Sequence, residues 1–304
     1  MAVWISHRKG FAAYLKLERS LSANSIEAYQ RDIAAFADYL ERQGHDKLQP
    51  GQVNLQQLQG FLKEIGEIGL AASTQARIIS GLRAFFKYLL MEDLLKDDPT
   101  QLLESPKLGR KLPDTLNNDE IEELLGAIDL SKPEGERNKA MIEVLYGCGL
   151  RVSELINLRI TQLYFNEGFI RVVGKGDKER LVPIGQMAQK QVVRYKDEVR
   201  VHVPIQPGFE DVLFLNRRGK ILTRVMVFTI IKRLAVVAQI KKNISPHTFR
   251  HSFASELVNR GADLRAVQEM LGHESITTTE IYTHLDRDYL RSAILEHHPR
   301  HQQS

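Results

Sequence analysis

One cysteine, Cys148, stands in 304 residues. An internal disulfide framework is thereby excluded, and so is a zinc site built on several thiolates. Cys148 lies between Gly147 and Gly149, where a small side chain suits close packing, and its solitude fits a reducing compartment; the cytoplasm is the expected location. Nowhere do about 18 uncharged apolar residues follow one another, so no membrane span is expected. Charges break every apolar run of MAVWISHRKGFAAYLKLERS, which is unlike an export signal. No G-x-x-x-x-G-K-S/T phosphate loop and no H-E-x-x-H occur, so neither nucleotide hydrolysis nor zinc-protease chemistry is indicated, and no cofactor is expected. An excess of one charge sign is also missing. The 42 Lys and Arg against 38 Asp and Glu leave a net charge of +4, which allows a nucleic-acid partner without demanding one.

Amphipathic periodicity is abundant in the first hundred residues. Ile26, Tyr29, Ile33, Phe36 and Leu40 recur at three- and four-residue steps after a Ser-Ala-Asn cluster, which predicts a helix over Ser25 to Leu40. Ile78, Leu82, Phe85, Phe86 and Leu89 form the stripe of a second helix over Ser73 to Met91, with Arg77, Arg83 and Lys87 elsewhere around it. Weaker patterns cover Ile5 to Glu18 and Leu55 to Ile65, completing a four-helix unit.

Between Asp97 and Asp114, DDPTQLLESPKLGRKLPD holds Pro99, Pro106 and Pro113 and sustains no apolar period. A boundary is expected there, giving a helical domain over 1–98, a linker over 99–114 and a second domain over 115–304. The basic linker is either a solvated connector or a strap across a nucleic-acid backbone. The second domain opens with helices near Asn118 to Ala127 and Glu136 to Tyr146. Phe169 to Val173 and Glu179 to Pro183 then flank G-K-G-D-K as the strands of a β-hairpin. Helices follow over Thr223 to Ala238 and Ser252 to Arg260, so the chain is mainly α with a small β-sheet, an α+β second domain behind an all-helical one.

The residues able to do chemistry lie in this second part. Tyr282 carries a phenol that ordinarily titrates near ~10, so it needs a charge-neutralised electrophile and a proton acceptor to act as a nucleophile. A phosphodiester matches paired guanidiniums, which bind its oxygens in a planar, bidentate way. Arg151 in G-L-R-V-S-E-L sits at a helix junction with Glu154 one turn along, either holding the guanidinium or forming a plain surface pair. His247 and Arg250 in H-T-F-R share one face of a helix starting near Pro246, whose N-terminus favours an anion. His247 and His251 also have the i, i+4 spacing of zinc ligands, although the usual glutamate and a cysteine partner are missing; a structural role suits His251 better. His273 follows Leu271 and Gly272, a helix end, and Tyr282 falls on a short helix after Thr277 to Thr279. Lys175 is a proton-donor candidate at the hairpin tip, with Lys178 its rival.

Five ordered blocks, G-L-R-V-S-E-L, G-K-G-D-K-E-R-L-V-P, S-P-H-T-F-R-H-S-F-A, L-G-H-E-S-I-T-T-T and I-Y-T-H, resemble those of the tyrosine site-specific recombinases of the phage integrase family. The resemblance runs over essentially the whole length, and is narrower to the bacterial XerC/XerD type, slightly closer to XerD. It implies that Arg151 and Arg250 clamp a scissile phosphate and that Tyr282 attacks it, leaving a 3′-phosphotyrosine and a free 5′ hydroxyl. Lys175 would protonate the leaving oxygen, His247 and His273 would orient the phosphate and manage the tyrosine proton, and Glu154 would support Arg151. No nucleotide and no metal is needed, because the phosphotyrosine stores the energy of the broken bond.

The resemblance further implies a two-domain clamp around double-stranded DNA, with a SAM-like core-binding domain in front of the catalytic one. Partner recombinase subunits would form a tetramer on two sites, as in a XerC/XerD heterotetramer, with Asp288 to His297 docking on a neighbour and an FtsK-like DNA translocase as a further partner. Chromosome dimer resolution at a dif-like site is the expected role. A mobile-element integrase and a type IB topoisomerase share the constellation and stay open as alternatives.

Overall fold

The computed structural model describes residues 2–106, 114–174, 178–272 and 284–301. The chain divides into two compact units, 1–111 and 112–304. The first contains α1 (Ala2–Leu17), α2 (Ala23–Arg42), α3 (Leu55–Glu67) and α4 (Ala72–Met91). Local chemistry starts these helices where the pattern predicted. Ser22 Oγ accepts from the Ser25 N–H at 3.3 Å ahead of α2. Asn54 Oδ1 accepts from Gln56 and Gln57 at 2.9 and 3.2 Å, while Gln57 returns an acceptor to the Asn54 N–H at 2.8 Å. This reciprocal cap satisfies donors that a helix start leaves open.

Aromatic rings fill the space between the four helices. Phe85 meets Trp4, Phe11 and Phe86 at centroid distances of 6.0, 5.3 and 5.5 Å, and Phe36 meets Phe61 at 5.3 Å. Asp32 is buried at the edge of this core and is paired by Arg77. The arginine expected on the open side of α4 thus reaches back to α2. Arg83 turns to the Leu103 carbonyl, and Leu103 and Thr100 are buried, so the chain past α4 stays with this unit at least that far.

The second unit contains α5 (Asn118–Gly126), α6 (Pro133–Cys148), α7 (Val152–Asn157), β1 (Leu163–Tyr164), β2 (Phe169–Val173), β3 (Glu179–Pro183), α8 (Gln186–Arg194), α9 (Arg224–Val237), α10 (Pro246–Asn259), α11 (Leu264–Leu271) and α12 (His284–His297). The fold is mainly α-helical with one small antiparallel sheet, as expected. α6 lies at its centre, buried continuously from Ala140 to Cys148, and apart from Glu143 that stretch carries no charge, as a core position requires. The expectation of a start at Glu136 missed the first turn, where Pro133 occupies a position that has no use for an N–H. α10 begins at Pro246, where the helix carrying His247 and Arg250 was expected to start, and runs on through the periodic stretch from Ser252.

The strands run in the order β1-β2-β3. Ile170 faces Val182 and Val172 faces Arg180, so the apolar face of the hairpin carries one arginine. α12 packs within its own chain: Leu290, Ala293 and Ile294 are buried with Phe253, Leu257 and Met270. Beyond it, Arg300 inserts between Glu122 and Glu143, at 2.6 Å from the latter. Among the described residues no helix is long and apolar enough to cross a membrane.

Candidate active site

α6 ends at Gly149, whose φ of +58° is the left-handed region that glycine adopts without strain. A side chain there would meet the Phe253 ring at 2.5 Å, so the turn requires glycine twice over. The turn delivers Arg151 to the start of α7. Glu154, one turn on, accepts the Arg151 backbone N–H at 2.8 Å through Oε2 and its Nη1 at 2.8 Å through Oε1. The pair read from the sequence is therefore doubly tied, and Glu154 is buried rather than on a helix surface.

Glu154 has a second partner, distant in sequence. Arg180 of β3 forms a planar fork on it, Nη1 to Oε1 at 2.8 Å and Nη2 to Oε2 at 2.9 Å. Arg250 of α10 lies with its Nη1 at 4.0 Å from Glu154 Oε2. Three positive charges against one negative leave a local surplus of two. Such a surplus favours an anion, and Arg151, with its side chain 35% exposed, is open to meet one.

The same three guanidiniums hold the end of α11. Arg180 Nε donates to the Met270 carbonyl at 2.8 Å, Arg250 Nη2 to the Leu271 carbonyl, and Arg151 Nη2 to the Gly272 carbonyl at 3.3 Å. Three successive carbonyls that a helix C-terminus leaves unsatisfied thus receive three cations, which also suits the negative end of the helix dipole. Gly272, at φ +64°, caps α11, and a side chain on it would sit 3.1 Å from Arg180 Cδ.

Titration follows from this packing. Burial pushes the Arg250 guanidinium down, the charges of Arg151 and Arg180 add to the shift and Glu154 opposes it, leaving it at about 10. It remains a cation at neutral pH, and one that an added anion would stabilise. Burial pushes the Glu154 carboxyl up, but hydrogen bonds and charge from Arg180, followed by hydrogen bonds from Arg151, outweigh it, so the carboxyl ends below its ordinary value.

His247 is exposed near the start of α10 and lines a cleft of about 740 Å³ together with Arg250, His251 and Leu271. Both histidines expected on one face are there. Among the described residues no three His, Cys, Asp or Glu side chains gather as a metal-ligand set. Lys175, His273 and Tyr282 lie outside the described residues. Their chain neighbours do not. Gly174 donates to the Lys178 carbonyl at 2.8 Å, and a side chain on Gly174 would lie 3.7 Å from Glu154 Oε1. Gly272, which precedes His273, is itself a partner of Arg151.

Sequence reasoning missed Arg180 as a member of this cluster. The signal was in the strand alternation of E-R-L-V-P, where Arg180 and Val182 point to the same side and that side is apolar. A cation placed there needs a buried carboxylate, and Glu154 supplies it.

Residues 114–288 match the phage integrase family, and residues 9–93 match the phage integrase N-terminal SAM-like domain. The chain belongs to the phage integrase family. It is 44% identical over 300 residues to a tyrosine recombinase XerD of Chlorobaculum tepidum, covering 98% of this chain and 97% of that one. It is 42% identical over 290 residues to a tyrosine recombinase XerD of Staphylococcus aureus, covering 95% and 97%. Among solved structures it is similar to the XerH site-specific recombinase bound to a palindromic difH substrate in a post-cleavage complex. That likeness has a TM-score of 0.69 at 26% identity and covers 95% of this chain and 84% of that one.

Proposed function

We propose that this chain is a site-specific DNA recombinase that cuts and rejoins DNA through a 3′-phosphotyrosine, resolving chromosome dimers at a dif-like site during cell division. The family supports tyrosine-recombinase cleavage and rejoining, and the XerD relatives and the difH-bound neighbour support the narrower role. The observation that carries it is the convergence of Arg151, Arg180 and Arg250 on Glu154 with a surplus of positive charge.

In this reading Arg151 and Arg250 bind the two non-bridging oxygens of the scissile phosphate and neutralise the charge that grows on them in the transition state. The Tyr282 oxygen attacks phosphorus and its proton passes to a histidine, His247 or His273. The bond from phosphorus to the 5′ oxygen breaks, and Lys175 gives that oxygen a proton. The phosphotyrosine has the bond order of the diester it replaced, so a 5′ hydroxyl from another strand reverses the step with no nucleotide consumed. The leading helical unit serves as the core-binding half of a DNA clamp, residues 99–114 as its linker and 115–304 as the catalytic half. The partners are subunits of a recombinase tetramer, a XerC/XerD heterotetramer in the narrowest form, and an FtsK-like translocase; the setting is the cytoplasm.

Sequencing the DNA recovered covalently attached to the protein tests this. A single chromosomal locus is expected, lost with Tyr282→Phe. Recovery of mobile-element ends would replace dimer resolution with integration, and site-independent adducts with relaxation of supercoils by a lone subunit would favour a topoisomerase.

A further inference from the structure

Arg180 holds an inward position of β3, opposite Val172, where the strand pattern calls for an apolar side chain. Its side chain is only 7% exposed, and each guanidinium nitrogen has an acceptor: Glu154 Oε1 at 2.8 Å, Glu154 Oε2 at 2.9 Å and the Met270 carbonyl at 2.8 Å. Stability alone is a poor reason for this arrangement, because a buried ion pair is commonly matched or bettered by apolar residues of the same volume. The choice of acceptors is informative. Glu154 is the carboxylate from which Arg151 hangs, and Met270 begins the run of carbonyls at the end of α11 whose next two members hold Arg250 and Arg151.

A fork on both oxygens fixes the plane of a carboxylate, whereas one bond leaves it free to rotate. With Arg180 in place, Glu154 presents Oε1 to Arg151 Nη1 and Oε2 to the Arg151 N–H in one orientation. The third bond ties the last turn of α11 to the same guanidinium, and the Arg180 stem supplies the surface on which Gly272 rests. β3, α7 and α11 therefore meet on one side chain.

We propose that Arg180 is a positioning residue of the recombination site: it sets the plane of Glu154, and so the aim of Arg151, and holds the end of α11 against them. The proposal rests on the recombinase reading above. Arg180 is buried and its guanidinium nitrogens are taken up by acceptors of the protein itself, so its effect is expected on the rate of cleavage and not on affinity.

The test compares wild type, Arg180→Lys, Glu154→Gln and the double variant on a nicked duplex made from the DNA that wild type captures. Lysine keeps the charge but cannot span the fork and the Met270 carbonyl together. Arg180→Lys is expected to bind the duplex within about 2-fold of wild type while forming the covalent adduct about 10- to 100-fold more slowly at saturating DNA, the scale of a small misplacement of a reacting group. Because Arg180 acts through Glu154, the double variant is expected to be no slower than the worse single one. Wild-type cleavage by Arg180→Lys, a loss found wholly in affinity, or single losses that multiply would overturn the proposal. Arg180→Met, melted alongside, keeps the side-chain volume and separates a folding defect from a slow site. Absence of any adduct with wild type would instead overturn the recombinase reading, and this proposal with it.

Discussion

The two units bury different things. In the first, the interior is a continuous set of rings, with Trp4, Phe11, Phe36, Phe61, Phe85 and Phe86 in mutual contact and one buried carboxylate, Asp32, at its edge. In the second, Glu136, Arg137, Glu143, Glu154, Arg180, Arg200 and Arg300 are all buried. Rings pack without a preferred partner, so such a core tolerates change in shape at constant volume. Buried charges demand a particular partner in a particular direction, and removing one leaves the other stranded. The second unit gains from this a cluster whose guanidiniums are held in fixed directions, as the proposed phosphate site requires, at the expense of tolerance to substitution.

The contrast is sharpest at the proposed nucleophile. Tyr282→Phe keeps the ring and removes the oxygen, and is expected to lower covalent adduct formation below detection on a denaturing gel. Next come Arg151→Ala and Arg250→Ala, each expected to slow single-turnover cleavage by about 10²- to 10³-fold, the scale of losing one preorganised charge. If either cleaved at the wild-type rate, the charges gathered on Glu154 would be as replaceable as the first unit's rings. In the first unit, Phe36→Ala is expected to destabilise by about 3–5 kcal/mol, while Phe36→Leu stays below roughly 1.5 kcal/mol in denaturant melts. An equal loss from both would mean that ring geometry, not volume, holds the helices.

Acid provides a smaller effect of definite sign. The Glu154 carboxyl titrates lower in the folded chain than its ordinary value, so its contribution is complete above the unfolded value of about 4.3 and fades as pH falls through the folded one. Glu143 is shifted the other way, raised first by burial against the opposing charge of Arg300, so its contribution fades as pH rises. Comparing melting temperatures of wild type and Glu154→Gln from pH 6 to 3 isolates the first. The gap between them is expected to narrow in acid. Smallest is Asn54→Ala, which removes the cap of α3 and is expected to cost about 1 kcal/mol, with no change in cleavage.

Much of this architecture was legible beforehand. The apolar steps of α2 and α4, the cap at Ser22 and both hairpin strands are local features, written within a few residues of where they act. The helix start at Pro133 was read late because its first turn carries polar residues and no stripe, whereas the start at Pro246 was read from its proline. Within the site, Arg151, Glu154, His247 and Arg250 could be named from motif spacing. Arg180 was missed: the strand alternation placed it on the apolar side, but its partner is a carboxylate 26 positions away that the alternation does not name.

By itself, then, the order of residues determined which helices form, which turn needs glycine and which side chains are candidates for chemistry, because dihedral preference, capping and periodicity operate over one or two turns. Only the tertiary structure decided that three guanidiniums share one buried carboxylate and one helix end. Those contacts join Arg180 to Met270 across 90 residues and Arg151 to Gly272 across 121, and no local rule orients a side chain toward a partner that far along the chain.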